Sequence, residues 1–383
     1  MEKLLVILSR FPFPLEKGDK LRAFHQIRIL SQYFDIHLVT TNRTPITLEQ
    51  KEALSPYCKS IHTFQVSKIQ FIKNLFRFAI SGKPLQLSFF YTPEMSGFIQ
   101  GLVQQNQIDK SYFQLIRTAC YAEQLKTHNY LDYMDTLSTG VFRQAKHQKG
   151  IKKWFYLLEA KRLAKYEQSV FSLFKKKFII SNQDRELFQF KEKSQIEISP
   201  NGVSPIFLEE IQQKTNADIV FAGNMAYPPN VEAAKYIVNE ILPLSGNVKS
   251  IIAGANPTND IQSLASDHVH ISGWVEDIRT AYKSASIFVA PLFIGTGLQN
   301  KLLEAMALGI PCVTTSLCNN ALKAKSGEEI LIANSPQEFA DCIQQLLTDE
   351  QLRSRIIHNA KAFILQNYNW EEIGHQLAIS IQE

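Results

Sequence analysis

Between Gly295 and Thr315 the chain reads GTGLQNKLLEAMALGIPCVTT, with a lysine and a glutamate, Lys301 and Glu304, three residues apart. Glycines at 295, 297 and 309 bracket a stretch in which Leu298, Leu302, Leu303, Ala305, Met306 and Leu308 supply apolar faces. The pattern predicts a loop, a helix and a short strand at Cys312 to Thr314. The three-residue spacing puts Lys301 and Glu304 on neighbouring turns of that helix, where both project from its amino-terminal end. That end carries the positive pole of the helix and backbone N–H groups without helical partners. A glycine-rich turn through Gly295, Thr296, Gly297, Leu298 and Asn300 adds amide donors for a phosphate, Lys301 adds a counter-charge, and Glu304 offers an acceptor to a pair of sugar hydroxyls. The chemistry these groups suit is the binding of a nucleotide sugar.

Two further segments place polar groups where a first domain could act on such a ligand. SRFPFPLEKGDKLRAFH, residues 9–25, follows the first apolar run and leads into a helix. Gly18 permits close backbone approach, and Arg22 is the cation expected nearest the donor phosphate or the acceptor. YLDYMDTLSTG, residues 130–140, sets Asp132, Asp135 and Ser138 three apart at the end of a strand. Asp135 there could accept a hydrogen bond from a sugar hydroxyl and support positive charge in an oxocarbenium-like transition state; the alternative is an Asx cap opening the next helix. Arg117, at the end of a strand expected over Leu115 to Thr118, would pair with Asp135 or with phosphate. In the second half Gly223 and Asn224 follow the strand Asp218 to Ala222, in a loop that should face the donor.

Apolar runs alternate with amphipathic stretches along the chain, which argues for parallel sheets covered on both faces. Other strands are expected at Leu4 to Leu8, Ile36 to Thr40, Ser60 to Phe64, Tyr130 to Met134 and Phe178 to Ser181, then at Ser250 to Ala253, Val269 to Ser272 and Ile287 to Ala290. Helices are expected near 20–33, 48–56, 119–127 and 154–173. A chain of 383 residues predicts two α/β domains. They are expected at 1–200 and 201–365, with PNGVSP in the connection and residues 366–383 forming a helix that crosses back to the first domain. Ligands of open parallel sheets bind beyond the carboxyl ends of the strands, so the reaction is expected in a cleft between the two.

The chain resembles family 4-like glycosyltransferases with the GT-B fold, two Rossmann-like domains facing across a cleft. The resemblance rests on the helix segment carrying Glu304 before Ala-Met-Ala, on PFPLEKGDKLRAFH at 12–25, PNGV at 200–203, FAGNMAYPPNVEAA at 221–234 and GWVEDIRTAY at 273–282. It implies that Glu304 holds the donor ribose, that Gly273, Trp274 and Val275 contact the base, and that transfer retains the anomeric configuration without a metal or cofactor. Three departures stand out. A second acidic residue expected eight positions before Glu304 is Thr296 here, the Gly223 loop lacks the Arg and Lys common in relatives, and Asp135 stands where many relatives have histidine. A hexosyl group moving from a nucleotide-diphosphate sugar to a glycan, lipid-linked or protein-glycan acceptor, in polysaccharide assembly, is the expected reaction. The alternatives are a nucleotide-sugar epimerase of the same architecture and a non-catalytic nucleotide-sugar-binding subunit.

Composition sets the remaining bounds. A hydrophobic content of 45% with 20% charged residues describes a globular chain. The five-residue apolar run before Ser9 is too short for a signal core, so a cytoplasmic protein is expected. Five scattered cysteines indicate neither a zinc site nor a disulfide framework. Residues 1–200 hold 30 Lys and Arg against 17 Asp and Glu, a net of +13, and the remainder 11 against 19, a net of −8. The basic half suits anionic partners; nucleic acid is not expected among them. Within it, KIQFIKNLFRFAISGKP at 68–84 mixes cations with aromatics. The segment suits an interfacial helix that inserts Phe71, Leu75 and Phe78 into an anionic membrane at its inner face; the alternative is a helix packed on its own domain.

Overall fold

The computed structural model describes every residue except Glu16, Arg43, Gly295 and Thr296. Its backbone contacts divide it into two compact units, Met1–Pro200 with Glu371–Glu383, and Asn201–Trp370.

Among the described residues the first unit holds a seven-stranded sheet. Its strands are β1 (Glu2–Leu8), β2 (Phe34–Asn42), β3 (Ser60–Gln65), β4 (Lys110–Gln114), β5 (His128–Met134), β6 (Lys176–Ile179) and β7 (Ile196–Ile198). The order is β3-β2-β1-β4-β5-β6-β7, with all pairs parallel. Strands of such a sheet are buried on both faces, and β1 shows it: Leu5 and Ile7 join one core with Val39, Phe113 and Leu131, while Leu4, Val6 and Leu8 join the other with Ile36, Leu38 and Tyr130. The second core is closed by the helix Trp370–Gln382, whose Leu377, Ala378 and Ile381 are buried in it. A glycine at 374 lets that helix approach, since a Cβ there would lie 2.6 Å from the Ile29 side chain.

The second unit has β8 (Ala217–Ala222), β9 (Ser250–Ala253), β10 (Val269–Gly273), β11 (Ala285–Ala290), β12 (Cys312–Thr314) and β13 (Leu331–Ile332), in the order β10-β9-β8-β11-β12-β13, again parallel. Counted within the unit this is 3-2-1-4-5-6, the doubly wound order whose direction reverses between its first and fourth strands. Carboxyl-terminal ends of β8 and β11 therefore flank the position where a ligand is expected.

Several expected elements differ. The fourth strand is Lys110–Gln114 and not Leu115 to Thr118; Leu115 turns at φ +66 and Ile116–Gln124 forms a 3-10 helix in place of the expected 119–127 helix. The strand was hidden by its polar first residue: Lys110 is buried, with its ammonium paired to Glu2 at 2.7 Å. The long helix runs Gly150–Ser169 rather than 154–173. β7 and β13, of three and two residues, are too short to leave a periodic signal.

Candidate functional site

In the second unit three glycines end three adjacent strands. Gly223 follows β8, Gly254 follows β9, and Gly273 ends β10, with the Gly223 N–H donating to Ala253 O and the Gly254 N–H to Gly273 O, each at 2.9 Å. Gly254 has φ +132, and a Cβ on it would fall 1.8 Å from Gly223 O, so only glycine fits. The floor at these strand ends is bare main chain.

Lys301 and Glu304 stand beside that floor on the helix Asn300–Ala307. The Lys301 ammonium donates to Asn230 Oδ1 at 2.6 Å and lies 4.6 Å from the centre of the Phe221 ring. A Cβ on Gly223 would come within 2.9 Å of the same ammonium, which explains the glycine that opens the loop. Asn230 is buried on the helix Pro228–Tyr236, and its Nδ2 donates to Asn224 O at 2.9 Å. Burial lowers the Lys301 pKa to about 8, against the raising influence of Cys318 and Glu304. Glu304 accepts from the Tyr282 hydroxyl at 2.8 Å. Burial raises its pKa, opposed by that hydrogen bond and by the charge of Lys301. The outcome is a fixed cation and a fixed carboxylate, each oriented by one neutral side chain.

The other second-unit residues singled out from the sequence are placed as follows. Asn224 is exposed and its Oδ1 accepts from the Ala226 N–H, closing the turn after Gly223. Gly273 has φ +69, Trp274 is 71% exposed, and Val275 is half-buried against the core. Gly297 has φ +106, Leu298 packs on the core, and Asn300 accepts from Asn201 Nδ2 at 3.1 Å. Gln299, which precedes the helix, makes no side-chain cap to it. Gly295 and Thr296 lie outside the described residues. Three residues gained no role from the sequence although two sit in motifs that carry the resemblance: Asn230 in FAGNMAYPPNVEAA and Tyr282 at the end of GWVEDIRTAY. Gly254 shows only as a glycine closing an apolar strand.

In the first unit the expectation for Arg22 is overturned. Its side chain is fully buried, with Nε donating to Asp132 Oδ2 at 2.6 Å and Nη1 to Pro200 O at 3.0 Å. Asp132 also accepts from Gln26 Nε2 at 2.9 Å, from the Tyr112 hydroxyl at 3.0 Å, and from the Met134 N–H at 3.0 Å. Neither charge is offered to a phosphate or an acceptor, because each is taken up by the other inside the fold. The cause is helical phase: Arg22 shares the inward face of the helix Gly18–Leu30 with Ala23, Gln26, Ile27 and Leu30.

Asp135 is differently placed. It is exposed, just after Met134, whose φ of +67 turns the chain out of β5. The helix Leu137–Lys146 is preceded by Thr136 at the cap position, so Asp135 is not its cap. Partial desolvation and the carboxylates of Asp184, Asp19 and Asp132 raise its pKa to about 6, with Arg117 pulling the other way. Arg117 donates to Gln86 Oε1 at 3.1 Å and lies over the Phe90 ring. Gly18 starts its helix beside this turn, where a Cβ would touch Met134 Cε at 3.7 Å. Behind it the buried Glu167 accepts from the N–H and hydroxyl of Ser138, at 2.9 and 2.6 Å.

Comparison with known proteins bears on both units. Residues 216–349 match the family described as Glycosyl transferases group 1. An uncharacterized 44.6 kDa protein of the cps region of Klebsiella pneumoniae is 23% identical over 97% of this chain and 98% of its own length. The UDP-Gal:alpha-D-GlcNAc-diphosphoundecaprenol alpha-1,3-galactosyltransferase of Escherichia coli is 27% identical over 36% of this chain and 37% of its own. Among solved structures, HepE of Anabaena in complex with UDP-glucose superposes with a TM-score of 0.68, at 14% identity, over 99% of both chains. The fold is GT-B, residues 216–349 within its second unit are similar to group 1 glycosyltransferases, and the protein is a glycosyltransferase.

Proposed function

We propose that the chain moves a sugar from a nucleoside-diphosphate sugar to a glycan or lipid-linked acceptor in polysaccharide assembly, with retention and without a metal. The observation that carries the donor reading is the fixed pair Lys301 and Glu304 at the carboxyl ends of the strands flanking the topological switch. Lys301 with backbone amides takes the leaving diphosphate, and Glu304 takes the ribose hydroxyls. In this reading Gly273, Trp274 and Val275 meet the base. The similarity to a UDP-glucose-binding fold and to a transferase whose donor is UDP-Gal makes uridine the first base to try. That second relative acts on a diphosphoundecaprenol acceptor, and the first comes from a cps region, which supports a lipid-linked or capsular acceptor.

A panel of nucleotide sugars tested by thermal denaturation and by nucleotide release decides the matter. A preferred donor raises Tm by mass action, and its slow hydrolysis yields nucleoside diphosphate and free sugar of the donor's anomeric configuration. Conversion of the sugar while still linked to the nucleotide would support an epimerase and overturn the proposal.

Two outcomes follow from the residues. Glu304→Ala removes an acceptor of ribose hydroxyls and is expected to weaken donor binding by about 1–3 kcal/mol; calorimetric titration of the folded variant with unchanged affinity would remove Glu304 from the site. The pH profile of kcat/KM reports groups of the free enzyme. Asp135, acting as a carboxylate with a raised pKa, loses its charge as pH falls through about 6, and Lys301 with a lowered pKa loses its own as pH rises through about 8. A bell with those limbs is expected, and Asp135→Asn should abolish the acidic one. An acidic limb unchanged in that variant excludes Asp135.

A further inference from the structure

The first unit carries an apolar and basic surface that the transfer reaction does not use. On the helix Lys68–Ser81 the expected inserting residues are turned inward: Phe78 is 3% exposed, Phe71 packs on Phe89 at 4.5 Å, and Leu75 is half-buried. The opposite face is the unpartnered one. Ile69, Ile72, Phe76 and Ile80, at spacings of three, four and four, form one stripe of this helix and are 52–87% exposed. Lys68 and Lys73 border it.

A second exposed apolar set lies at the start of the helix Gly150–Ser169, where Ile151 is 82%, Trp154 62% and Phe155 46% exposed. Lys149, Lys152 and Lys153 surround them. Ile151, Phe155, Leu158 and Arg162 share one face of this helix by their spacing. Arg162 Nη2 donates to Ala79 O, and Glu159 accepts from the Leu85 and Gln86 N–H groups, so that face adjoins the end of the first helix beside Ile80. The two sets thus lie on one unit, on helices that meet at the carboxyl-terminal end of the first. Two exposed apolar sets of this size are uncommon on a protein that meets only water. Tryptophan with flanking lysines is the composition that sits at a bilayer interface, and the +13 net charge of residues 1–200 complements anionic headgroups. Among the described residues no helix is long and apolar enough to cross a membrane.

We propose that this face, the outward stripe of the helix Lys68–Ser81 with the amino-terminal turns of the helix Gly150–Ser169, docks reversibly on an anionic lipid bilayer, with Phe76, Trp154 and Phe155 entering the headgroup region. The geometry and the charge carry it without reference to the reaction, and its failure would leave the transferase reading intact.

Co-sedimentation with phosphatidylglycerol-containing vesicles, compared with phosphatidylcholine alone, should show at least tenfold stronger partition at low salt and a loss of most of it at high salt. In a Trp274→Phe variant, lipids brominated in the acyl chain should quench Trp154, and further replacement of Trp154 by Phe should remove the quenching; the remaining tryptophan, Trp370, is buried. Phe76→Glu with Phe155→Glu should reduce partition tenfold or more with Tm unchanged, since both side chains are exposed. Absence of partition at low salt, or partition without quenching, overturns the proposal. So does a dimer of the free protein that the double variant disperses, for the face would then join two copies of the chain.

Discussion

Asp132→Ala is expected to destabilise the first unit by about 3–5 kcal/mol, the cost typical of stranding one charge of a buried pair. The carboxylate accepts four hydrogen bonds, from Arg22, Gln26, Tyr112 and the Met134 amide, and both charged side chains are inaccessible. Removing it leaves the Arg22 guanidinium buried beside the Pro200 carbonyl with the Asp132 charge gone. Denaturant unfolding followed by far-ultraviolet circular dichroism measures the loss. The contrast variant is Arg22→Met with Asp132→Asn, in which both charges go together; it should recover a large part of the stability. Equal losses in the single and double variants would show that packing rather than the ion pair is at stake.

Lys301→Met is the second large effect. Methionine keeps most of the stem and removes the charge, so kcat should fall about 100- to 1000-fold, the range for loss of one group aimed at developing negative charge. Donor affinity should fall less, because the interaction strengthens as the phosphate leaves. The ammonium is held in advance by Asn230 and the Phe221 ring, so it need not reorganise when that charge appears. Burial lowers its pKa to about 8 in the absence of ligand, and an approaching diphosphate would raise it again. Steady-state kinetics on the preferred donor separates the cases: a higher KM with unchanged kcat would show ordinary ground-state binding.

How much of this was legible in the sequence depends on the kind of signal. Long alternations of apolar runs gave the α/β class and most strands of both sheets. The placement of Lys301 and Glu304 on one helix was readable because helix spacing and a glycine-rich lead-in specify where their side chains go. Their partners were not, since Asn230 and Tyr282 reach them across 71 and 22 residues of chain and neither residue type announces such a contact. Arg22 was misread because a cation after a glycine loop suggests phosphate, yet its phase matches the buried Gln26 and Leu30 four and eight residues on. Asp132 likewise alternates with Leu131 and Tyr133, which face the other core. In the basic helix the period was right and the face was wrong. A hydrophobic stripe on each side leaves the sequence no means of saying which one the sheet covers.

The helix Trp370–Gln382 bears on how the protein is made. Its Leu377, Ala378 and Ile381 cover the core containing Leu4, Val6 and Leu8, and Arg28 pairs with Glu371 at 2.6 Å. Synthesis proceeds from the amino terminus, and domains usually fold in the order they emerge. Here the first sheet is translated early but its covering arrives only after all of residues 201–370 have left the ribosome. Over that interval the side chains beneath the missing helix are open to water, and the nascent first unit is expected to expose apolar surface that the finished chain covers.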